Sequence, residues 1–544
     1  MSKNKTEKKQ QKLLKKEEKK NKKLQKKELR KTNKDIKKIK SNREKIKKNK
    51  KVSLFNLYLK QLNEQDLKKI NDFFNDFNSR CLLAKADKHK MKKDFENALL
   101  YYKNNNIDID KALDLLSLDN LGGFYARPAQ SWFRLDDAAK IYPVSMEHGV
   151  MSVFRLSVNL KEKVVPELLQ MALTFTIKRF PSFATTLKKG VFWHYLDSTK
   201  RCFTVKEEDD VPCQALKLSQ SESQSFRALY YDKKISVEFF HALTDASGGM
   251  EFIKSLVSEY IRLTNVIIKD KTNIININDN PDISEFTNEF INVEKTPDAG
   301  GLYNKIATQM TGDLSKIKPC RILNFKMSSN KLREVARKYN ITVTTYLLCI
   351  MFIACKSACE IYDGEFSIQV PVNMRKFYPS KTLRNFSMYC GIRLPISKIQ
   401  DINSISNEVV EQLTSKSSKE EMHKMLYGTK KLISNIKLIP LVIKQPIAKF
   451  ISGIIGDLAF TSTLSNIGII NLPEEYKDYI EDMEFVLNTS TKNRATCGLV
   501  TYNDVATLSI TKLTKDPSFE TKIHDLLLKD GIDITVEESE IYDY

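Results

Sequence analysis

Residues 235–261 constrain the fold more than any other stretch of this 544-residue chain. Ile235 to Phe240 is β-branched and aromatic, the pattern of a buried strand. Gly248 and Gly249 punctuate the turn that follows. Met250 to Ile261 then carries Phe252, Ile253, Leu256, Val257 and Ile261 at helical spacing. His241 closes the strand, and Asp245 stands four residues on, where a carboxylate can brace the loop. A rigid scaffold presents reactive groups at such strand ends. The other five of the six histidines have no comparable setting.

The surrounding pattern extends this unit into two halves. Val150–Leu160, Val191–Leu196 and Phe226–Tyr231 read as strands, with a helix over Val164–Phe180 ended by Pro181. A second series follows. Ile322–Met327, Phe366–Pro371, Met388–Pro395, Ala459–Leu464, Met483–Leu487, Gly498–Tyr502 and Val505–Thr511 read as strands. Helices are expected over Ser329–Lys338, from a Thr342 cap to about Ala358, and near 403–420 and 516–529. Strands with covering helices in each half predict an α/β (α+β) chain of two lobes. The expected divisions are a low-complexity tail over 1–51 and a helical segment over 52–125. A first lobe over 126–267, a polar crossover linker over 268–302 and a second lobe over 303–544 complete them.

Charge is unevenly placed. Residues 1–51 hold 25 Lys/Arg against 6 Asp/Glu, so +19 of the net +22 lies in the tail and the rest is near neutral. With few apolar residues the tail is expected to be disordered. Its charge suits polyanion contact, with RNA or an anionic membrane, although it offers no aromatic platform for bases. No run of 18 apolar residues occurs, so no transmembrane helix is expected. Nine cysteines without Cys-x-x-Cys spacing predict reduced core thiols, a cytoplasmic location and no metal site. The signatures Gly-x-Ser-x-Gly, Gly-x-x-x-x-Gly-Lys, Gly-x-Gly-x-x-Gly and His-Glu-x-x-His are absent, which argues against hydrolase, nucleotidase, dehydrogenase and zinc-protease readings.

His241-Ala-Leu-Thr-Asp245 resembles the His-x-x-x-Asp signature of the coenzyme A-dependent acyltransferase superfamily, with its chloramphenicol acetyltransferase-like fold. Two downstream segments fit the same order. Pro371-Val-Asn-Met-Arg375 with Leu383-Arg-Asn-Phe386 resembles the Asn-x-Arg and later Asn elements, and Leu464-Ser-Asn-Ile-Gly468 resembles the Ser-Asn-x-Gly strand end. Asn120-Leu-Gly-Gly-Phe-Tyr125 is similar to a segment of the bacterial alcohol acetyltransferase-like branch. Phe240 stands where condensation domains of peptide synthetases have a first histidine, Ala246 replaces the usual glycine, and the plant Asp-Phe-Gly-Trp-Gly element is missing.

The resemblance implies two chloramphenicol acetyltransferase-like lobes, each a mixed sheet covered by helices, with a tunnel between them. It implies transfer of an acyl group, acetyl above all, from an acyl-CoA co-substrate to an alcohol hydroxyl, with no permanently bound cofactor. His241 would be the general base, worth about 10²–10⁴-fold. Asp245 would point away as a structural brace, paired with Arg375 by a bidentate contact. Oxyanion or substrate candidates are Ser465, Asn466 and Gly468, with Gly248 and Gly249 competing; Asn373 and Asn385 belong to the same set. Two alternatives stay open: a condensation-like enzyme fed by an acyl-carrier protein, and a non-catalytic binding protein tethered to a polyanion by its basic tail.

Overall fold

The computed structural model describes residues 54–126, 132–145, 151–198, 202–216, 225–297, 305–317, 319–451, 458–487 and 493–542. The basic tail over 1–51 lies outside them. Residues 54–76 with Lys92–Leu113 form one compact unit, and Phe77–Met91 with Asp114–Tyr544 form another. The first is helical, with Phe55 edge-on to Phe74 and Phe73 edge-on to Phe95. Its helices belong to Glu64–Arg80, Lys85–Asn104 and Ile109–Leu115.

In the larger unit the strands of the first half are β1 (Trp132–Arg134), β2 (Val153–Leu160), β3 (Thr186–Lys189), β4 (His194–Asp197), β5 (Val205–Glu207), β6 (Phe226–Tyr231) and β7 (Lys234–Phe240). The second half supplies β8 (Arg321–Ser328), β9 (Glu365–Asn373), β10 (Ser387–Pro395), β11 (Ser462–Ile470), β12 (Ile480–Val486), β13 (Ala495–Tyr502), β14 (Val505–Lys512) and β15 (Thr535–Glu538). They make a five-stranded sheet ordered β12-β2-β7-β6-β5, a seven-stranded sheet ordered β10-β9-β11-β13-β14-β8-β15, and a small sheet β1-β4-β3. Both large sheets mix parallel and antiparallel pairs and carry covering helices.

One strand crosses over. By chain order β12 belongs with the second half, yet it pairs antiparallel with β2, Met483 opposite Val158 and Phe485 opposite Leu156. Periodicity marks a strand but not its partner; here Asn159 of β2 also donates to Asp482 and Glu484 of β12 at 2.6 and 2.9 Å.

The helix Ala246–Leu263 packs on the first sheet through an aromatic cluster. Phe252 stacks on Phe183 at 5.1 Å and meets Phe239 edge-on at 5.9 Å. In the second half, Thr342 caps the helix Val343–Ser357, its hydroxyl accepting from Thr345 N at 3.2 Å. That helix is apolar on nearly every side and buried, as a helix between a sheet and further helices must be. Two helices not anticipated, Lys419–Asn435 and Leu441–Ile451, follow the one at Ile402–Lys416. The crossover stretch is anchored. It forms short turns at Ile283–Phe286 and Glu289–Asn292, and buried Glu285 takes both terminal nitrogens of Arg179 at 2.5 and 2.6 Å. None of the nine cysteines is in a disulfide, and eight of them are buried. Among the described residues no single helix is long and apolar enough to cross a membrane, and no cluster of three metal-ligating side chains occurs.

Candidate active site

His241 follows the last residue of β7, and its N–H still pairs with Ser152 O at 2.8 Å. The backbone therefore leaves the sheet only after the imidazole has been placed. Tyr142, from the short helix Ile141–Ser145, stacks on the ring at 4.8 Å and 15°, and Phe154 from β2 meets it edge-on at 5.3 Å. His241 as a whole residue keeps intermediate solvent exposure. Burial lowers the imidazole pKa below its ordinary 6.5; the Asp245 charge and a hydrogen bond to the residue's own carbonyl oppose this and do not overcome it. The ring is neutral at neutral pH.

Nδ1 is the held nitrogen. Asn385 Nδ2 lies 3.0 Å from it and 3.1 Å from the His241 carbonyl oxygen, while Asn385 Oδ1 accepts from the Ser387 hydroxyl at 3.0 Å. The roles at Nδ1 follow the tautomer. Donation by Nδ1–H to the residue's own carbonyl frees the Nε2 lone pair; acceptance from the Asn385 amide moves the proton to Nε2. Asn385 was expected among the oxyanion candidates. It is almost fully buried and its amide is engaged with His241 and Ser387, so it orients the ring instead.

Asp245 caps the helix Ala246–Leu263, Oδ1 accepting from Gly248 N at 3.0 Å. Oδ2 accepts from Phe386 N at 2.8 Å and from Arg375 Nη1 at 2.7 Å. The expected bidentate contact is thus a single one. The rest of the guanidinium is taken by main-chain carbonyls: Nε and Nη2 donate to Thr382 O at 3.0 and 2.8 Å, and Nη2 to Arg384 O at 2.7 Å. Further bonds tie the same two segments, Thr244 Oγ1 to Leu383 O at 2.6 Å and Asn373 Nδ2 to Ser247 Oγ at 3.0 Å.

Gly248 and Gly249, expected as competing oxyanion donors, have spent their N–H groups on Asp245 Oδ1 and Asp245 O. They are glycine for space. A Cβ on Gly248 would lie 2.0 Å from Leu383 O, and one on Gly249 would crowd the Phe239 and Phe154 rings at 3.1–3.2 Å.

The other expected set has its own bonds. Ser465 is buried in β11, Asn466 donates to Thr344 Oγ1 at 3.0 Å, and Gly468 N donates to Asn466 Oδ1 at 2.8 Å. These bonds stay in the second half. The structure brings together His241, Asp245, Asn373, Arg375 and Asn385.

Sequence reasoning missed Tyr142, Asp136 and Arg384. Arg384 Nη2 lies 3.5 Å from buried Asp136 Oδ2, a second ion pair joining the halves beside the first. Burial pushes the Asp136 carboxyl up to about 6, with Arg384 and the Ala139 N–H holding it back. Asp136 and Tyr142 sit in short irregular segments with no spacing to mark them.

Residues 283–516 match the family model described as alcohol acetyltransferase. That stretch is similar to the alcohol acetyltransferase family. It contains Asn373, Arg375, Asn385 and the β11 strand end; His241 and Asp245 lie before it and join through the bonds above. Solved structures give the same fold for the larger span. The chain is similar to F. sporotrichioides TRI101 complexed with coenzyme A and T-2, with 10% identity, a TM-score of 0.53, and coverage of 74% of this chain and 99% of that one. It is similar also to F. graminearum TRI101 complexed with ethyl coenzyme A, with 9% identity, a TM-score of 0.51, and coverage of 74% and 99%. Comparison with curated protein sequences gives no match. The stretch matched by the family model thus falls in the second half of a fold shared with these solved structures.

Proposed function

We propose that this protein transfers an acyl group, acetyl in the first instance, from a coenzyme A thioester to an alcohol, with His241 as general base. One observation carries the reading: an imidazole whose pKa is lowered by burial stands at a strand end, its ring flanked by Tyr142 and Phe154 and its carbonyl held by the Asn385 amide from the other half. The coenzyme A named in both TRI101 complexes supports that donor.

An alcohol is almost wholly protonated at neutral pH and attacks poorly. Nε2 takes its proton as the oxygen bonds to the thioester carbonyl, which typically contributes about 10²–10⁴-fold. This requires the tautomer in which Nδ1–H donates to the residue's own carbonyl. The tetrahedral intermediate then expels the coenzyme A sulfur, which recovers the proton from the imidazolium, so products are ester and free thiol. No protein nucleophile is consumed, and the gain beyond proton transfer is proximity within a ternary complex. Asp245 takes no part in the relay, because both its oxygens are committed to Gly248, Phe386 and Arg375. It fixes the loop on which His241 stands.

The experiment is release of free coenzyme A from acetyl-CoA, dependent on added alcohol, by the purified full-length chain. The expected result is stoichiometric ester and thiol. No thiol release across short, long and aromatic alcohols would overturn the reading.

A further inference from the structure

One surface region is unlike the rest. The helix Leu441–Ile451 turns Val442, Ile443 and Ile447 outward, 69, 52 and 53% exposed, and Leu438 in the preceding turn is 72% exposed. The β3–β4 hairpin brings Val191 and Phe192 alongside, at 72 and 41%. Its tip is tied to that helix: Leu441 N donates to Val191 O at 2.8 Å, and Lys444 Nζ to Phe192 O at 2.9 Å. Apolar side chains from two distant parts of the chain therefore project together. Single exposed apolar residues need no explanation, but a grouped set marks a docking surface.

Charge decides the occupant. Lys188 and Lys189 stand on the hairpin, Lys189 Nζ reaching Gln445 Oε1 on the helix at 3.2 Å, exposed Lys437 precedes the helix, and Met422 to Gly456 holds no aspartate or glutamate. A second copy of this face would set lysine against lysine, and the chain's own residues 1–51, at +19, are repelled in the same way. A nucleic acid answers the charge and leaves the aliphatic groups without a partner. An anionic lipid surface answers both. Valine and isoleucine enter the boundary between headgroups and acyl chains, and lysines reach back to the headgroups along their apolar stems.

We propose that the face formed by the helix Leu441–Ile451 and the β3–β4 hairpin docks this protein on an anionic lipid bilayer. The proposal stands on surface and charge and does not depend on the acyl-transfer reading.

The test is co-sedimentation of the full-length chain with vesicles of phosphatidylcholine alone or mixed with phosphatidylglycerol. The parent should partition onto the mixed vesicles and stay in solution with the neutral ones. Val442→Asp with Ile443→Asp should weaken that partition by about tenfold or more, because charge replaces the inserting groups while the tail is intact. Both positions are mostly exposed, so thermal melting should match the parent. Lys437→Glu, a second variant, should weaken binding to the mixed vesicles as well. Equal binding by the double variant would overturn the proposal and assign all affinity to the tail. A dimer of the parent that the double variant dissolves would overturn it too, by making the occupant a second copy. Coenzyme A release with a water-soluble alcohol is read separately, so failure of docking and failure of catalysis are told apart.

Discussion

Two strand ends in this molecule look alike locally and differ in what reaches them. β7 stops just before His241, and β11 carries Ser465, Asn466 and Gly468 where its pairing with β9 has ended and its register with β13 shifts. At the first, groups from across the chain converge: Tyr142 stacks on the ring, Asn385 holds it, and Arg375 and Phe386 N fix its loop through Asp245. At the second, the bonds are fewer. Asn466 joins Thr344 and Gly468, whose φ of +81° lies at a bulge within the strand. A strand end becomes a reaction centre when distant segments restrict a reactive side chain, and the polar motif alone does not supply that restriction.

The sharpest way to break this comparison is to remove each end in turn. His241→Ala should lower coenzyme A release by about 100-fold or more with an unchanged melting temperature. If Asn466→Ala proved as damaging, the two ends would be equals and the assignment of the centre would fail. Next comes the brace. Arg375→Ala leaves Asp245 buried without its counter-charge and should cost about 2 kcal/mol in chemical denaturation, less than a fully buried pair because the arginine side chain is 15% exposed. Turnover should fall with it, since the His241 loop is then held less firmly.

Asn385→Ala probes the ring's orientation and should cost turnover about fivefold, the equivalent of about 1 kcal/mol for one hydrogen bond. Asn466→Ala should stay within about twofold in rate and lose less than about 1 kcal/mol of stability, as a partly solvated bond is replaced by water. The smallest effect is a displacement on the pH axis. Because burial depresses the His241 pKa, the acid limb of kcat/KM should have its midpoint below 6.5. The unfolded chain takes up that proton more readily, so this residue's contribution to stability is intact above pH 6.5 and declines as pH falls through the folded value. A limb centred above 6.5 would contradict the burial seen here.

Much of this was readable in the chain because it is local. The β-branched run to Phe240, the glycine pair, the helix to Ile261 and the Thr342 cap each depend on neighbours within a few residues. Approaches between distant segments were not readable. Gly248 is required by the carbonyl of Leu383 in the other half, and no local pattern reports that. Arg375 makes one contact with Asp245 because the Thr382 and Arg384 carbonyls take its other nitrogens. The helix Leu441–Ile451 escaped notice because Pro446 interrupts it and its apolar face is turned outward. Asn385 looked like a substrate contact because its partner, His241, is 144 positions away.

The pairing of β12 with β2 carries a consequence for biosynthesis. A ribosome finishes β2 long before Ile480–Val486 emerges, and until then one flank of that strand lacks its hydrogen-bonding neighbour. Nascent protein in that interval is vulnerable to sticking to other chains, and shielding by chaperones would raise the yield. Bisecting the gene at the linker should therefore give an insoluble amino-terminal fragment, rescued by co-translating the remainder.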